Sequence, residues 1–127
     1  MHVTPEQRPF DLEVRTRTFA RNFRAFIKTL PSEPHLWDDI RQLIRSSGSI
    51  GANYLEAQEA VSRRDFCHKI KISRKEARES VHWLDLIHVG IPKDKVPRCI
   101  QLKNEAEELV RILTSIVKKT DTPKQAL

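Results

Sequence analysis

A run of small side chains inside an otherwise long amphipathic helix constrains this sequence most. The stretch Arg45-Ser46-Ser47-Gly48-Ser49-Ile50-Gly51-Ala52-Asn53-Tyr54-Leu55-Glu56-Ala57 carries two of the three glycines of the chain. A glycine in a helix interior costs about 1 kcal/mol relative to alanine. Two glycines among three serines therefore suit a helix whose backbone is closely approached by another, not a free-standing one. Close helix–helix or subunit–subunit packing is the reading for Ser46, Ser47, Gly48, Ser49, Gly51 and Ala52.

Four helical segments follow from the spacing of apolar residues. The first spans about 11–30, with Asp11 as its N-cap after Pro9, a stripe of Leu12, Thr16, Phe19, Phe23, Phe26, Ile27 and Leu30, and Pro31 as its stop. The second spans about 35–60, with Leu36, Ile40, Leu43, Ile44, Ser47, Ile50 or Gly51, and Tyr54 on one face. A loosening near Gly48 or after Glu56 is allowed for. Ser62 and Asp65 have capping-box spacing and open the third, about 63–89, whose stripe is Phe66, Ile70, Ser73, Ala77, Val81, Leu84 and Ile87. Gly90 is placed as a C′ residue able to take positive φ. Asp94 is the expected cap of the fourth, about 95–119, with Pro97 in its first turn and a stripe of Leu102, Ala106, Leu109, Val110, Leu113, Ile116 and Val117.

Short connections make sequential helices antiparallel. The expected fold is therefore all-α: an up-down-up-down antiparallel four-helix bundle forming one domain over residues 1–127. A charged fraction of 31% and a hydrophobic fraction of 39% fit helices with charged outer faces.

The net charge of +6 is unevenly placed. Residues 31–60 hold two basic and five acidic side chains, a net of −3, whereas 11–30, 61–90 and 91–127 each carry +3. Such a distribution favours a basic patch and an anionic partner: nucleic acid first, an acidic protein second. Arg17, Arg21, Arg24 and Lys28 recur at helical spacing in the first helix. Arg63, Arg64, Lys71, Arg74, Lys75 and Arg78 do so in the third. Rows of this kind meet successive phosphates, and with so few free aromatics the mode is backbone contact, not base stacking.

The remaining motifs point to structure. Arg45, Asn53, Glu56, Arg74 and Glu79 read as a partly buried polar network fixing helix register. Glu79-x-x-His82 has the spacing used by di-iron bundles, with Asp65-x-x-His68 a loose repeat, but both lie on one helix and no second helix supplies a matching motif. No metal centre or other cofactor is expected. Cys67 and His68 are adjacent, about 100° apart on a helix, and do not form a nucleophile–base pair. Cys67 and Cys99 read as reduced thiols. Trp37 and Trp83 flank the core stripes and suit a subunit contact. No catalytic constellation stands out, no apolar run is long enough to cross a membrane, and no signal peptide opens the chain. The expectation is a cytosolic, non-enzymatic protein.

The order Arg45…Ser49-Ile50-Gly51-Ala52-Asn53…Glu56, then Ser62-Arg63-Arg64-Asp65-Phe66, then Ile70…Ser73-Arg74…Glu79 resembles the bacterial four helix bundle protein family. Its first members were found encoded in intervening sequences of large-subunit ribosomal RNA genes. The accessory variability proteins of diversity-generating retroelements look like relatives. The resemblance runs from Leu12 to about Lys119. Gly51 stands where the family usually has proline, and Ala57 where it usually has glycine. The resemblance implies a four-helix bundle, a homo-oligomer that in some relatives is a pentamer, and a basic surface. In the retroelement relatives that surface is associated with nucleic acid and a reverse transcriptase. An accessory protein binding RNA or DNA non-specifically is the first functional expectation. A protein–protein adaptor with an acidic or polymerase partner is the alternative.

Overall fold

The structure, a computed structural model, describes residues 9–121, with side chains from Leu12 onward. Four α-helices follow one another: α1 (Pro9–Ile27), α2 (Pro34–Gln58), α3 (Arg63–His88) and α4 (Val96–Asp121). A short 3₁₀ turn, Lys93–Lys95, leads into α4. No strand occurs among the described residues. Helices adjacent in sequence pack side by side, and α1 closes the ring against α4. This is the antiparallel four-helix bundle that the apolar spacing implies. The α2–α3 and α3–α4 seams are extensive, the α1–α2 seam is smaller, and the α1–α4 seam is the lightest.

Local chemistry explains most helix ends. The hydroxyl of Ser62 accepts a hydrogen bond from the Asp65 amide at 3.0 Å and caps α3. Pro34 begins α2 at a position where a missing N–H costs nothing. Three ends differ from expectation. α1 stops at Ile27 because Leu30, preceding Pro31, is pushed out of the helical region, and Thr29 and Leu30 close a turn onto Phe26 and Ile27. α1 begins at Pro9, which places Asp11 within the helix instead of at its cap, and the side chain of Asp11 lies outside the described residues. Asp94 sits within the 3₁₀ turn, not at the cap of α4.

The core is one cluster drawn from all four helices. Phe19 and Phe23 of α1, Leu43 and Ile50 of α2, Ile70 and Leu84 of α3, and Leu109 and Leu113 of α4 are fully or almost fully buried. A buried side chain of this size contributes about 1.5–3 kcal/mol by leaving water. The stripes hold with small rotations. On α2 the buried face includes Ser46 and Ala57, while Ile44 lies outside it and exposed. On α3 it turns towards α2, taking in Cys67, Glu76 and Ser80, with Phe66 and Val81 half-buried.

The small-residue run divides its work between two neighbours. Ser46 meets Ser80 of α3 through their hydroxyls at 2.9 Å, and the Ser73 hydroxyl donates to the Ile50 carbonyl of α2 at 2.7 Å. Gly51 faces α1: a Cβ there would lie 2.9 Å from Oγ1 of buried Thr16. Gly48 is roomier, since a Cβ would meet only the guanidinium tip of Arg24 at 3.4 Å. α2 nevertheless runs unbroken through both glycines to Gln58.

Gly90 is needed for space, not for backbone geometry. No glycine among the described residues has positive φ, which corrects the C′ expectation. A Cβ on Gly90 would press to 2.9 Å from Leu36 Cδ2 and 3.2 Å from the His35 ring. His35 also bonds the Gly90 carbonyl at 3.0 Å, tying the start of α2 to the α3–α4 turn.

Alanine at the two helix glycines should act with opposite sign. Gly51→Ala must displace Thr16 and should lower stability by about 1–3 kcal/mol. Gly48→Ala gains helix propensity and should raise stability by up to about 1 kcal/mol. Thermal melts of the two variants check this, and equal shifts would contradict the packing described.

Candidate nucleic-acid interface

The basic residues fall into two groups once their partners are traced. In α1, Arg24 lies across α2, donating to the Ile44 carbonyl at 3.1 Å and the Ser47 hydroxyl at 3.3 Å. Arg17 pairs with Glu13 at 3.0 Å. Arg21 and Lys28 are exposed and form no ion pair with a described residue. In α3, Arg63 donates to the Thr120 and Lys119 carbonyls at 2.9 and 3.1 Å, satisfying the end of α4. Lys71 pairs with Asp121 at 3.1 Å. Arg64, Lys75 and Arg78 are exposed, Arg74 is half-buried, and none of these four is ion-paired with a described residue.

The two rows lie apart. α1 and α3 are diagonal in the bundle, and the α1 row leans towards the α1–α2 groove, where Arg17 lines a hollow with Ala20, Gly48 and Ala52. The α3 row faces outward and towards α4. Two of the ten residues, Arg24 and Arg63, are held by backbone carbonyls of neighbouring helices.

The polar network is centred elsewhere than the sequence pattern placed it. Arg45 of α2 reaches Glu79 at 2.6 Å and Glu76 at 3.2 Å, both on α3. Glu76 is only 7% exposed. Its Oε1 lies within ion-pair distance of Arg45 but makes no aligned hydrogen bond. One guanidinium thus serves two carboxylates, and its bond with Glu76 is the main reason that its pKa is raised above the ordinary arginine value. Asn53 donates to the Ser49 carbonyl of its own helix at 2.9 Å, and Glu56 pairs with Lys69 of α3 at 2.8 Å. Arg74 joins neither. Glu76 was not among the expected residues, yet the signal was available. It falls three after Ser73 and four before Ser80, on the small-residue face of α3.

Further pairs tie the seams. Arg15 grips Glu105 of α4 through two nitrogens, at 2.8 and 3.1 Å. Lys103 of α4 bonds Asp85 of α3 at 2.9 Å and holds the Asp85 carboxyl below its ordinary pKa. Both cysteines are buried free thiols. Cys99 points at the Leu84 carbonyl, and burial pushes its pKa up to about 11. His82 and Trp83 stack edge to face, with centroids 4.8 Å apart. Among the described residues no three His, Cys, Asp or Glu side chains gather as metal ligands, and no helix is long and apolar enough to cross a membrane.

The geometry defines a helical bundle with an uneven basic surface and a buried polar seam. Residues 11–115 match the family described as 23S rRNA-intervening sequence protein, and the chain belongs to that family. It is similar to a solved protein of unknown function from the S23 ribosomal protein family of Bacteroides thetaiotaomicron, with 32% identity over 87% of this chain and 97% of that one, at a TM-score of 0.75. No curated protein matches the chain.

Loss of the guanidinium should expose the cost of the buried carboxylate. Arg45→Ala should destabilise by about 2–3 kcal/mol in urea unfolding, and adding Glu76→Gln should return part of it. Glu56→Gln removes only an exposed pair and should cost less than about 1 kcal/mol. A larger loss from Glu56→Gln than from Arg45→Ala would contradict this ranking. Cys99, its thiol protonated at pH 8, should resist alkylation in the native protein and react on unfolding.

Proposed function

We propose that this chain is a non-enzymatic, cytosolic, homo-oligomeric bundle that holds RNA or DNA without sequence preference through phosphate contacts. The observation that carries this reading is the outward side of α3. There Arg64, Lys75 and Arg78 stand exposed and unpaired among the described residues, in a chain with a net charge of +6. Positive charge kept clear of internal carboxylates is available to displace counterions from a polyanion. Arg21 and Lys28 add a smaller contribution on the far side of the bundle.

Self-association is supported by apolar surface that the monomer leaves open. Ile27, Leu30, Pro31, Trp37, Ile40 and Ile44 line a groove of about 380 Å³ between α1 and α2, with Trp37 52% exposed. A tryptophan so placed is a natural anchor for a subunit contact. A ring of five is the arrangement implied by the family resemblance. The same groove favours the second reading, an adaptor for an acidic protein or a polymerase.

Electrophoretic shifts with generic RNA and with single- and double-stranded DNA should show binding at low salt that weakens steeply towards physiological salt. Absence of a shift with all of them at low salt would favour the adaptor. Light scattering after size exclusion should show an oligomer that Trp37→Glu dissociates, and an unchanged mass would place the subunit contact elsewhere.

A further inference from the structure

The exposed side of α3 carries more than its arginines and lysines. Arg64, His68, Lys71, Lys75, Arg78 and His82 follow one another at spacings of four, three, four, three and four residues. In a helix this spacing sets all six on one line. The line lies opposite the core residues Ile70, Ser73, Ala77 and Leu84, and it is about 27 Å long at the usual helical rise. No acidic residue interrupts it.

We infer that the outward side of α3 is one continuous phosphate-binding strip made of these six residues, and that its grip on a nucleic-acid strand tightens as the solution is acidified. The inference rests on the nucleic-acid reading above and adds to it the strip, its two histidines and its regulation. Histidine is the side chain whose ordinary charge change falls between pH 5 and 8. Four permanent charges at neutral pH therefore become six on protonation, on a rigid helix that already sets their spacing.

Carboxylates next to the strip are largely engaged by other cations. On the α2 side, Glu79 is held by Arg45 and Glu56 by Lys69. On the α4 side, Asp85 is held by Lys103 and Asp121 by Lys71 of the strip. Within α3, Arg64, Asp65 and Lys71 flank His68, and Arg78, Glu79, Asp85 and the Trp83 ring flank His82. Lys71 can exchange Asp121 for a phosphate, since both partners of that pair are about half exposed. The α1 row has no equivalent, with Arg24 fixed on α2 and Arg17 on Glu13.

The test is fluorescence anisotropy with a labelled 20-residue uridine oligonucleotide, titrated over a salt series at pH 7.5 and 5.5. Uridine does not titrate in this range. For single strands each phosphate neutralised adds about 0.7 to the salt slope, so the slope should rise from about 3 to about 4 on acidification. His68→Gln/His82→Gln should keep the slope near 3 at both pH values. His68→Arg/His82→Arg should give about 4 already at pH 7.5. Lys75→Glu/Arg78→Glu should abolish binding, whereas Arg21→Glu/Lys28→Glu should leave it within a few fold, with circular dichroism and oligomer mass unchanged in every variant. Binding by the wild-type chain that survives Lys75→Glu/Arg78→Glu, or a pH response retained in His68→Gln/His82→Gln, would overturn the strip while leaving the nucleic-acid reading standing. Equal affinity for poly-glutamate would overturn the strip in favour of an acidic protein partner. No binding by the wild-type chain at either pH would overturn both.

Discussion

The close seam between α2 and α3 is the constraint on which the rest of the molecule depends. Small side chains allow the two backbones to approach, and three hydroxyls then take up the polar groups that such an approach buries. Ser73 donates to the Ile50 carbonyl, Ser80 to the Glu76 carbonyl, and Ser46 meets Ser80. A buried polar group without a partner costs about 1–3 kcal/mol, so the two bonds that cross between the helices, from Ser73 and between Ser46 and Ser80, fix their register as well as their distance. That register places Arg45 opposite Glu76 and Glu79, and Glu56 opposite Lys69. It also turns the charged side of α3 outward. The outer chemistry of the bundle is thus set from its least conspicuous interior residues.

The apolar periodicity was sufficient to read the bundle from the sequence, because helix faces are chosen by area removed from water, and Phe19, Phe23, Leu43, Ile70, Leu84 and Leu113 leave no doubt where those faces lie. What periodicity could not assign was the work of individual polar residues. Arg24 and Arg63 look like members of exposed basic rows, but each reaches a backbone carbonyl on another helix, a partner that no side-chain pattern records. Gly90 was legible as a helix-ending residue and illegible in its reason. The closeness of His35 and Leu36, which lie far away in sequence, excludes a Cβ there. Glu76 was missed because charged residues are seldom so buried, although its position on the small-residue face of α3 carried the signal.

Across the α2–α3 seam the pairs run both ways: Arg45 of α2 holds Glu76 and Glu79 of α3, and Glu56 of α2 holds Lys69 of α3, so charges of both signs are matched there. Part of the basic excess stands on the outward side of α3, where Arg64, Lys75 and Arg78 are exposed. A chain of the 23S rRNA-intervening sequence protein family therefore combines an inward polar seam with an outward cationic side on the same helix.

α1 stands somewhat outside this arrangement. It meets α2 over a modest seam and α4 over a light one, with Arg24 and Arg15 as its principal polar ties, and residues 28–33 link it to the remainder. A helix attached in this way can detach while α2, α3 and α4 keep their shared seams. Amides of α1 would then exchange with solvent through a smaller opening than those of α3. Two copies could also trade α1 across each other and lose none of these contacts, so the same modest attachment that makes α1 the first part to open makes it the part best suited to be shared between chains.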